Sequence, residues 1–444
     1  MLLDACRATK KNSKLDLSIK ANTITGIDDD ATLNMTWNFI TPGNQKGSVG
    51  AISKQTRPLT MTMWSDHIVY PNDTDRSVNY IYGAPGGTFT EESGVYIIGA
   101  GNKIKTSAIT LNNADVPMIG YYWQNTGTGS GSARYGTRTG ASAWSLSGDL
   151  YTTAMATLGM RLPVDLAWSN AATPFVDMVY QYMNYVFHYQ RYASATWEGD
   201  SSLFTNTSTS SPPMGAVAVD SNHVSHLVAH HVTGTGAWTY GIDYYTRASG
   251  GSWTAGTPPT KNGSALTCQQ ARNPNIYFDT TAVATNPHVA YFCHDGVNWG
   301  LVHAVYSAAT WTYDNIVTSG LPGSVVDAAY IGFAMYGGKA HVAFIDSVGA
   351  LKYATNTSGS WVVSTIEGFI GGTTYISPQI GINSSGAVRV YYVKDNGSAP
   401  QIRVAYSEAG LGNPIDVLSQ SASAGGLQLG KNVGINGEHG NSRR

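Results

Sequence analysis

One pattern returns seven times along this chain and limits what it can fold into. It is clearest from His341 to Trp361, HVAFIDSVGALKYATNTSGSW: an apolar strand, a polar turn, a short strand with a tyrosine, a glycine turn, then an aromatic. The first element recurs as HIVY at His67, MIGY at Met118, DMVY at Asp177, HLVA at His226, HVAY at His288, HVAF at His341 and VRVY at Val388, at intervals of 47 to 62 residues. Tyrosine-bearing strands follow at Val78, Ala133, Phe187, Ile242, Val302, Leu351 and Ile402. The closing aromatic is Phe89, Trp144, Trp197, Trp253, Trp311 or Trp361, and the seventh copy carries LGNPIDV in its place. Self-similarity at such a period marks a repeat architecture in which each unit buries its faces against its neighbours.

A further short strand precedes each anchor, as in SAITL at Ser107, GAVAV at Gly215 and QIGIN at Gln379, and a fourth begins at the aromatic, as in WVVSTI at Trp361. Four antiparallel strands in about 50 residues make a propeller blade. The expected fold is therefore all-β: a seven-bladed β-propeller of four-stranded antiparallel blades over residues 50–425. Eight blades, or a partial extra blade before residue 50, is the alternative count. Residues 1–49 form an extension, and 426–444 a closing strand and frayed tail. Strands at Leu15 (LDLSI), Leu33 (LNMTWNFI) and Leu427 (LQLGKNVGI) are candidates to close the ring. Composition agrees. Charged residues are 12%, against 50 glycines and 27 tyrosines, a mix that suits strands and tight turns rather than amphipathic helices.

The net charge of −2 comes without a basic stripe, which argues against nucleic acid as a partner. No apolar run approaches ~18 residues, so no transmembrane helix is expected. The chain contains no Walker loop, GxSxG, HExxH or dinucleotide fingerprint, and no cofactor is expected. Asp28–Asp30 lacks the alternating oxygen ligands of a calcium loop, so no metal site is assigned there. Cys268 and Cys293 either form a disulfide or remain two buried thiols, and Cys6 follows MLLDA, which faintly matches the end of a lipoprotein signal.

The pattern HVAF-ID…LKYATN…GSW resembles bacterial secreted or surface β-propellers, in the style of sialidase-like (Asp-box) propellers. The Asp-box, Ser/Thr-x-Asp-x-Gly-x-x-Trp, is not intact. Thr246 to Trp253 keeps the Thr, Gly and Trp spacing but has Ala248 at the Asp position. The resemblance implies the fold and an extracellular or cell-surface location, and carries over no enzyme.

The repeated tryptophans and tyrosines read as packing between blades. His67, His226, His288 and His341 share one structural position and read as hydrogen-bonded strand ends rather than four catalytic bases. Function belongs where the copies differ, in the loops after each anchor strand, which line the propeller funnel. There Trp123, Trp238 and Trp299 do not repeat and suit stacking on sugars or anchoring a protein. His231, His294, Asp295, Asp346 and Asp395 share these loops, with the two last also explicable as turn formers. The leading expectation is a non-catalytic recognition or assembly propeller that binds a glycan or a protein partner at the cell surface. The alternatives are a glycoside hydrolase or lyase using funnel acids, and a structural subunit of a surface filament or envelope complex.

Overall fold

Alternating Val, Ile, Tyr and Thr residues give each repeat a strand period, and Asp-Gly or Gly-Gly turns reverse the chain between strands. The structure, a computed structural model, describes residues 24–27, 33–35, 38–40, 50–52, 66–72, 76–83, 89–112, 114–125, 127–153, 164–182, 186–199, 201–205, 214–233, 239–259, 268–279, 286–322, 331–382, 388–395, 401–406 and 418–419. They form an all-β, seven-bladed propeller of four-stranded antiparallel sheets, and no helix among them is long and apolar enough to cross a membrane.

Blade 6 shows the unit plainly. Its strands, from the axis outward, are Gly332–Tyr336, Lys339–Ile345, Leu351–Thr355 and Val362–Glu367. Gly337 and Gly338, at φ of 61° and 73°, make the tight turn between the first two. Asp346 makes the next turn by accepting the N–H groups of Val348 (3.1 Å) and Ala350 (2.8 Å). The innermost strands of neighbouring blades approach closely around the axis. A Cβ on Gly332 would lie 3.0 Å from the Gln379 backbone of blade 7, Ala334 on the same strand is fully buried, and so are Ala108, Ala167 and Ala216 on the inner strands of blades 2, 3 and 4. Blades 4 and 5 also share one parallel bridge, Tyr240 opposite Gln270.

The ring closes with strands from both ends of the chain. In blade 7 the inner three strands are Thr374–Ile382, Val388–Asp395 and Gln401–Tyr406. The N-terminal strand Asn38–Ile40 pairs with Val404–Tyr406, and Leu418–Ser419 pairs with Gln401 and Ile402. Two pieces thus share the outer edge, as Ala143–Leu146 and Tyr151–Thr153 share the edge of blade 2. Ile24–Ile27 and Leu33–Met35 form a separate two-stranded sheet, so the alternative of an eighth blade does not hold. The segments at Leu15 and Leu427 lie outside the described residues. Asp66 of blade 1 and Arg389 of blade 7, both fully buried, form an ion pair across the closure. Beside it Ile68, Tyr70, Ile81 and Phe89 pack on Tyr391, Ile402 and Val404.

One aromatic contact repeats between blades. In blades 2 to 6 the tryptophan at the outer strand packs edge-on against the third strand of the blade before it. The pairs are Trp144 on Tyr80 (5.2 Å between centroids), Trp197 on Tyr135 (5.2 Å), Trp253 on Tyr189 (4.8 Å), Trp311 on Tyr244 (5.4 Å) and Trp361 on His303 (5.6 Å). Edge-to-face geometry adds about 0.5–1.5 kcal/mol per pair beyond the area buried. Third-strand rings also hold the anchor histidines. His67 bonds through Nδ1 to the Tyr80 hydroxyl, His226 to Tyr244 at 2.6 Å and His341 to Tyr353 at 2.5 Å, while His288 meets His303 at 3.0 Å. Burial lowers His67 and His341 to about 3, with Arg138 adding to the effect at His67. His67 and His341 are therefore neutral core groups.

Candidate functional site

Antiparallel order places the loops joining second to third strands, and those joining one blade to the next, on one face of the ring. On this face lies the cleft between blades 1 and 2. The outer strand of blade 1, Thr90–Ile97, contributes Tyr96. The second strand of blade 2, Pro117–Asn125, contributes Tyr121 and Trp123, and its third strand, Gly131–Gly140, contributes Arg134. Period-two alternation points Tyr121, Trp123 and Arg134 back toward blade 1. Asp149 reaches in from the break between the two pieces of outer strand.

The Trp123 indole N–H donates to Asp149 Oδ1 at 2.9 Å, and Arg134 Nε donates to the same oxygen at 2.5 Å. The Arg134 guanidinium carbon sits 4.6 Å from the Tyr96 ring centre and 6.0 Å from that of Trp123. Tyr96 in turn lies 5.1 Å from Tyr121. Burial alone would raise the Asp149 carboxyl, but hydrogen bonds from Arg134 and Trp123 outweigh it and hold the group below its ordinary value. Burial pushes the Tyr121 hydroxyl up. The result is a half-exposed slot with one fixed ion pair, a locked indole and two phenol rings. Such a slot offers an aromatic face to sugar C–H groups and planar, charged donors and acceptors to sugar hydroxyls.

The other sequence-predicted residues are spread over several blades. Trp299 opens the third strand of blade 5 and is only 8% exposed; His294 lies 4.9 Å from one side and the Arg272 guanidinium 5.3 Å from its ring centre. Its faces are therefore taken by the protein, and it packs rather than presents itself. His294 ends the second strand and its Nδ1 accepts the Gly296 N–H at 3.2 Å. Asp295 accepts the N–H groups of Asn298 (2.7 Å) and Val297 (2.8 Å), which hold its carboxyl low. Asp346 is a turn former and sits 3.4 Å from Lys352 Nζ. Asp395 ends the second strand of blade 7, and His231 lies opposite Gly241 in blade 4. Trp238 falls outside the described residues. Cys268 and Cys293 are joined as a disulfide, with Cα atoms 5.2 Å apart, which ties the segment entering blade 5 to that blade's second strand.

Of the expected site residues, only Trp123 takes part in the blade 1–2 slot. Tyr96, Tyr121 and Asp149 were missed because the slot is assembled across two blades. A signal did exist at Arg134. The equivalent third-strand position carries Asn79, His188, Asp243, Val302, Lys352 and Arg403 in the other blades, opposite Tyr70, Tyr180, Ala229, Tyr291, Phe344 and Tyr392. A core position would repeat; this one does not.

No family model matches the sequence, and no curated protein matches it. Among solved structures, the chain is similar to a mutant of the Aleuria aurantia lectin in complex with Fucα1-6GlcNAc, at 15% identity and a TM-score of 0.46, covering 72% of this chain and 97% of that one. It is similar to a Dyadobacter fermentans protein of unknown function at 10% identity and a TM-score of 0.47, covering 83% and 97%. It is also similar to the polysaccharide lyase Uly1 at 11% identity and a TM-score of 0.46, covering 87% and 94%. All three overlaps fall below a TM-score of 0.5, too low to carry a binding residue from one chain to another.

Proposed function

We propose that this protein is a glycan-binding propeller that recognises a sugar in the slot between blades 1 and 2 without catalysing a reaction on it. The observation that carries this reading is Trp123, half-exposed and fixed by Asp149, with Arg134 held between it and Tyr96. A preorganised aromatic and a charged hydrogen-bonding pair cost little ordering on binding, which is what a shallow sugar site needs. A glycosidase would instead need one carboxyl raised toward neutrality as its acid. Asp149, in the slot, is held low. The Cys268–Cys293 disulfide supports a secreted or surface-exposed protein, because such bonds persist in oxidising surroundings.

The test is a glycan array followed by calorimetry, with a hydrolysis and elimination screen on the same preparation. Trp123→Ala should weaken binding of the best neutral ligand at least tenfold and leave the unfolding midpoint within a few degrees. Turnover of any bound glycan, abolished by Asp149→Asn, would replace the reading with an enzyme.

A further inference from the structure

A second cleft, between blades 6 and 7, opens on the same face and differs from the first in charge. Glu367 ends the outer strand of blade 6, at the position Tyr96 holds in blade 1: Glu367 lies opposite Leu351, and Tyr96 opposite Val78. Four donors from blade 7 converge on it. Lys394 Nζ reaches Oε2 at 2.7 Å, and the Tyr375 hydroxyl reaches the same oxygen at 3.0 Å. The Tyr392 hydroxyl and Arg403 Nη1 both bond Oε1. Burial alone would raise this carboxyl, but the bonds from Lys394 and Tyr392 and the charge of Arg403 hold it below its ordinary value.

Two cations, Lys394 and Arg403, share this one carboxylate. The layering matters as much as the count. The Glu367 side chain is 9% exposed, whereas Arg403 and Lys394 are 14% and 20% exposed. The carboxylate lies beneath and holds two like charges together, and the cations reach solvent. Asp395, next along the strand from Lys394, alternates to the opposite face.

We propose that the blade 6–7 cleft binds the anionic group of an acidic sugar, a uronate carboxylate or a sulfate ester, through Lys394 and Arg403. This rests on the glycan-binding reading and names a second, anionic subsite for it. Two clefts of different character on one face then fit a polysaccharide in which acidic residues alternate with others.

The probes are an oligogalacturonate, a carrageenan oligosaccharide bearing sulfate but no carboxylate, and a neutral oligosaccharide of equal length, each titrated into the full chain. At least one acidic probe should bind the wild type more tightly than the neutral one and lose affinity as salt rises. Preference for oligogalacturonate assigns the carboxylate, and preference for carrageenan assigns the sulfate. Lys394→Gln should weaken the preferred acidic probe about tenfold, the cost of one charged hydrogen bond, and leave the neutral probe unchanged. Arg403→Gln serves as a second variant, and thermal unfolding confirms that each variant is folded. Acidic and neutral probes binding alike, or acidic binding unmoved in both folded variants, would overturn this subsite while leaving the blade 1–2 reading intact. Acidic binding lost in Lys394→Gln, with neutral binding unmoved by Trp123→Ala, would do the reverse. No binding of any probe would sink both.

Discussion

Acid should loosen this ring well before carboxylates protonate, because two of its anchor histidines, His67 and His341, are buried and neutral. His67 and His341 have ordinary values of 6.5 when unfolded and are lowered to about 3 in the fold. The depressed folded value sets the sign. Their contribution to stability is fully present above about pH 6.5 and is lost as pH falls toward 3, since the unfolded chain takes up protons that the fold refuses. Each such proton is worth about 1.4 kcal/mol per pH unit once the unfolded ring is protonated. Integrated from pH 7 to pH 5, that is about 2 kcal/mol per histidine and about 4 kcal/mol for the pair. Half-buried His288, lowered to about 3 by burial and by the nearby His303, acts in the same direction. A loss of this size is a large share of the ~5–15 kcal/mol that holds a typical domain. Urea unfolding followed by circular dichroism at pH 8, 7, 6 and 5 reads it directly. His341→Gln, which keeps a hydrogen-bonding group for the Tyr353 hydroxyl, should remove about half of the drop assigned to the pair. An unfolding free energy that stays level from pH 7 to pH 5, or an unchanged slope in His341→Gln, would refute the assignment of these rings as neutral core groups.

Two further outcomes follow from the packing. Trp311 is buried edge-on against Tyr244 and donates its indole N–H to Thr257 O at 2.8 Å; Trp311→Ala should cost about 3–5 kcal/mol by urea titration, and Trp311→Phe only about 1–2 kcal/mol. Arg389→Ala should cost about 3–5 kcal/mol because it strands the Asp66 carboxylate inside the ring closure, while the double change Asp66→Asn with Arg389→Leu should recover much of that loss.

The fold was legible because its signals repeat. Seven anchor strands, seven third strands and six closing aromatics average out local ambiguity, and the five tryptophans among those aromatics each meet a ring on the preceding blade. The histidine positions were legible for the same reason: four copies at one register cannot all be catalytic, and each sits against a third-strand side chain. The candidate site was mostly illegible. Trp299 looks like a loop residue in sequence, yet it starts a strand and is buried between His294 and Arg272. Asp295 and Asp346 are turn formers whose carboxylates are spent on backbone N–H groups. Asp149 and Tyr96, 53 residues apart, converge only because adjacent blades face one another, and no local pattern encodes that pairing.

On the two proposals above, divergence inside the strands, rather than in the loops, carries the recognition chemistry of this ring. At the third-strand position that faces the preceding blade near the open rim, only blades 2 and 7 carry arginine, Arg134 and Arg403. The neighbouring second-strand position holds Trp123 in one and Lys394 in the other, and the preceding blade supplies Tyr96 in one and Glu367 in the other. The same backbone frame therefore builds one cleft around an indole and another around two cations. Strands hold side chains more rigidly than loops do, so changing two or three residues at fixed registers redirects specificity without disturbing the inter-blade ladder of Trp, Tyr and His beneath. That separation of a repeated lower layer from a varied upper one explains how seven copies can hold one ring together while two of their junctions carry different side-chain chemistry.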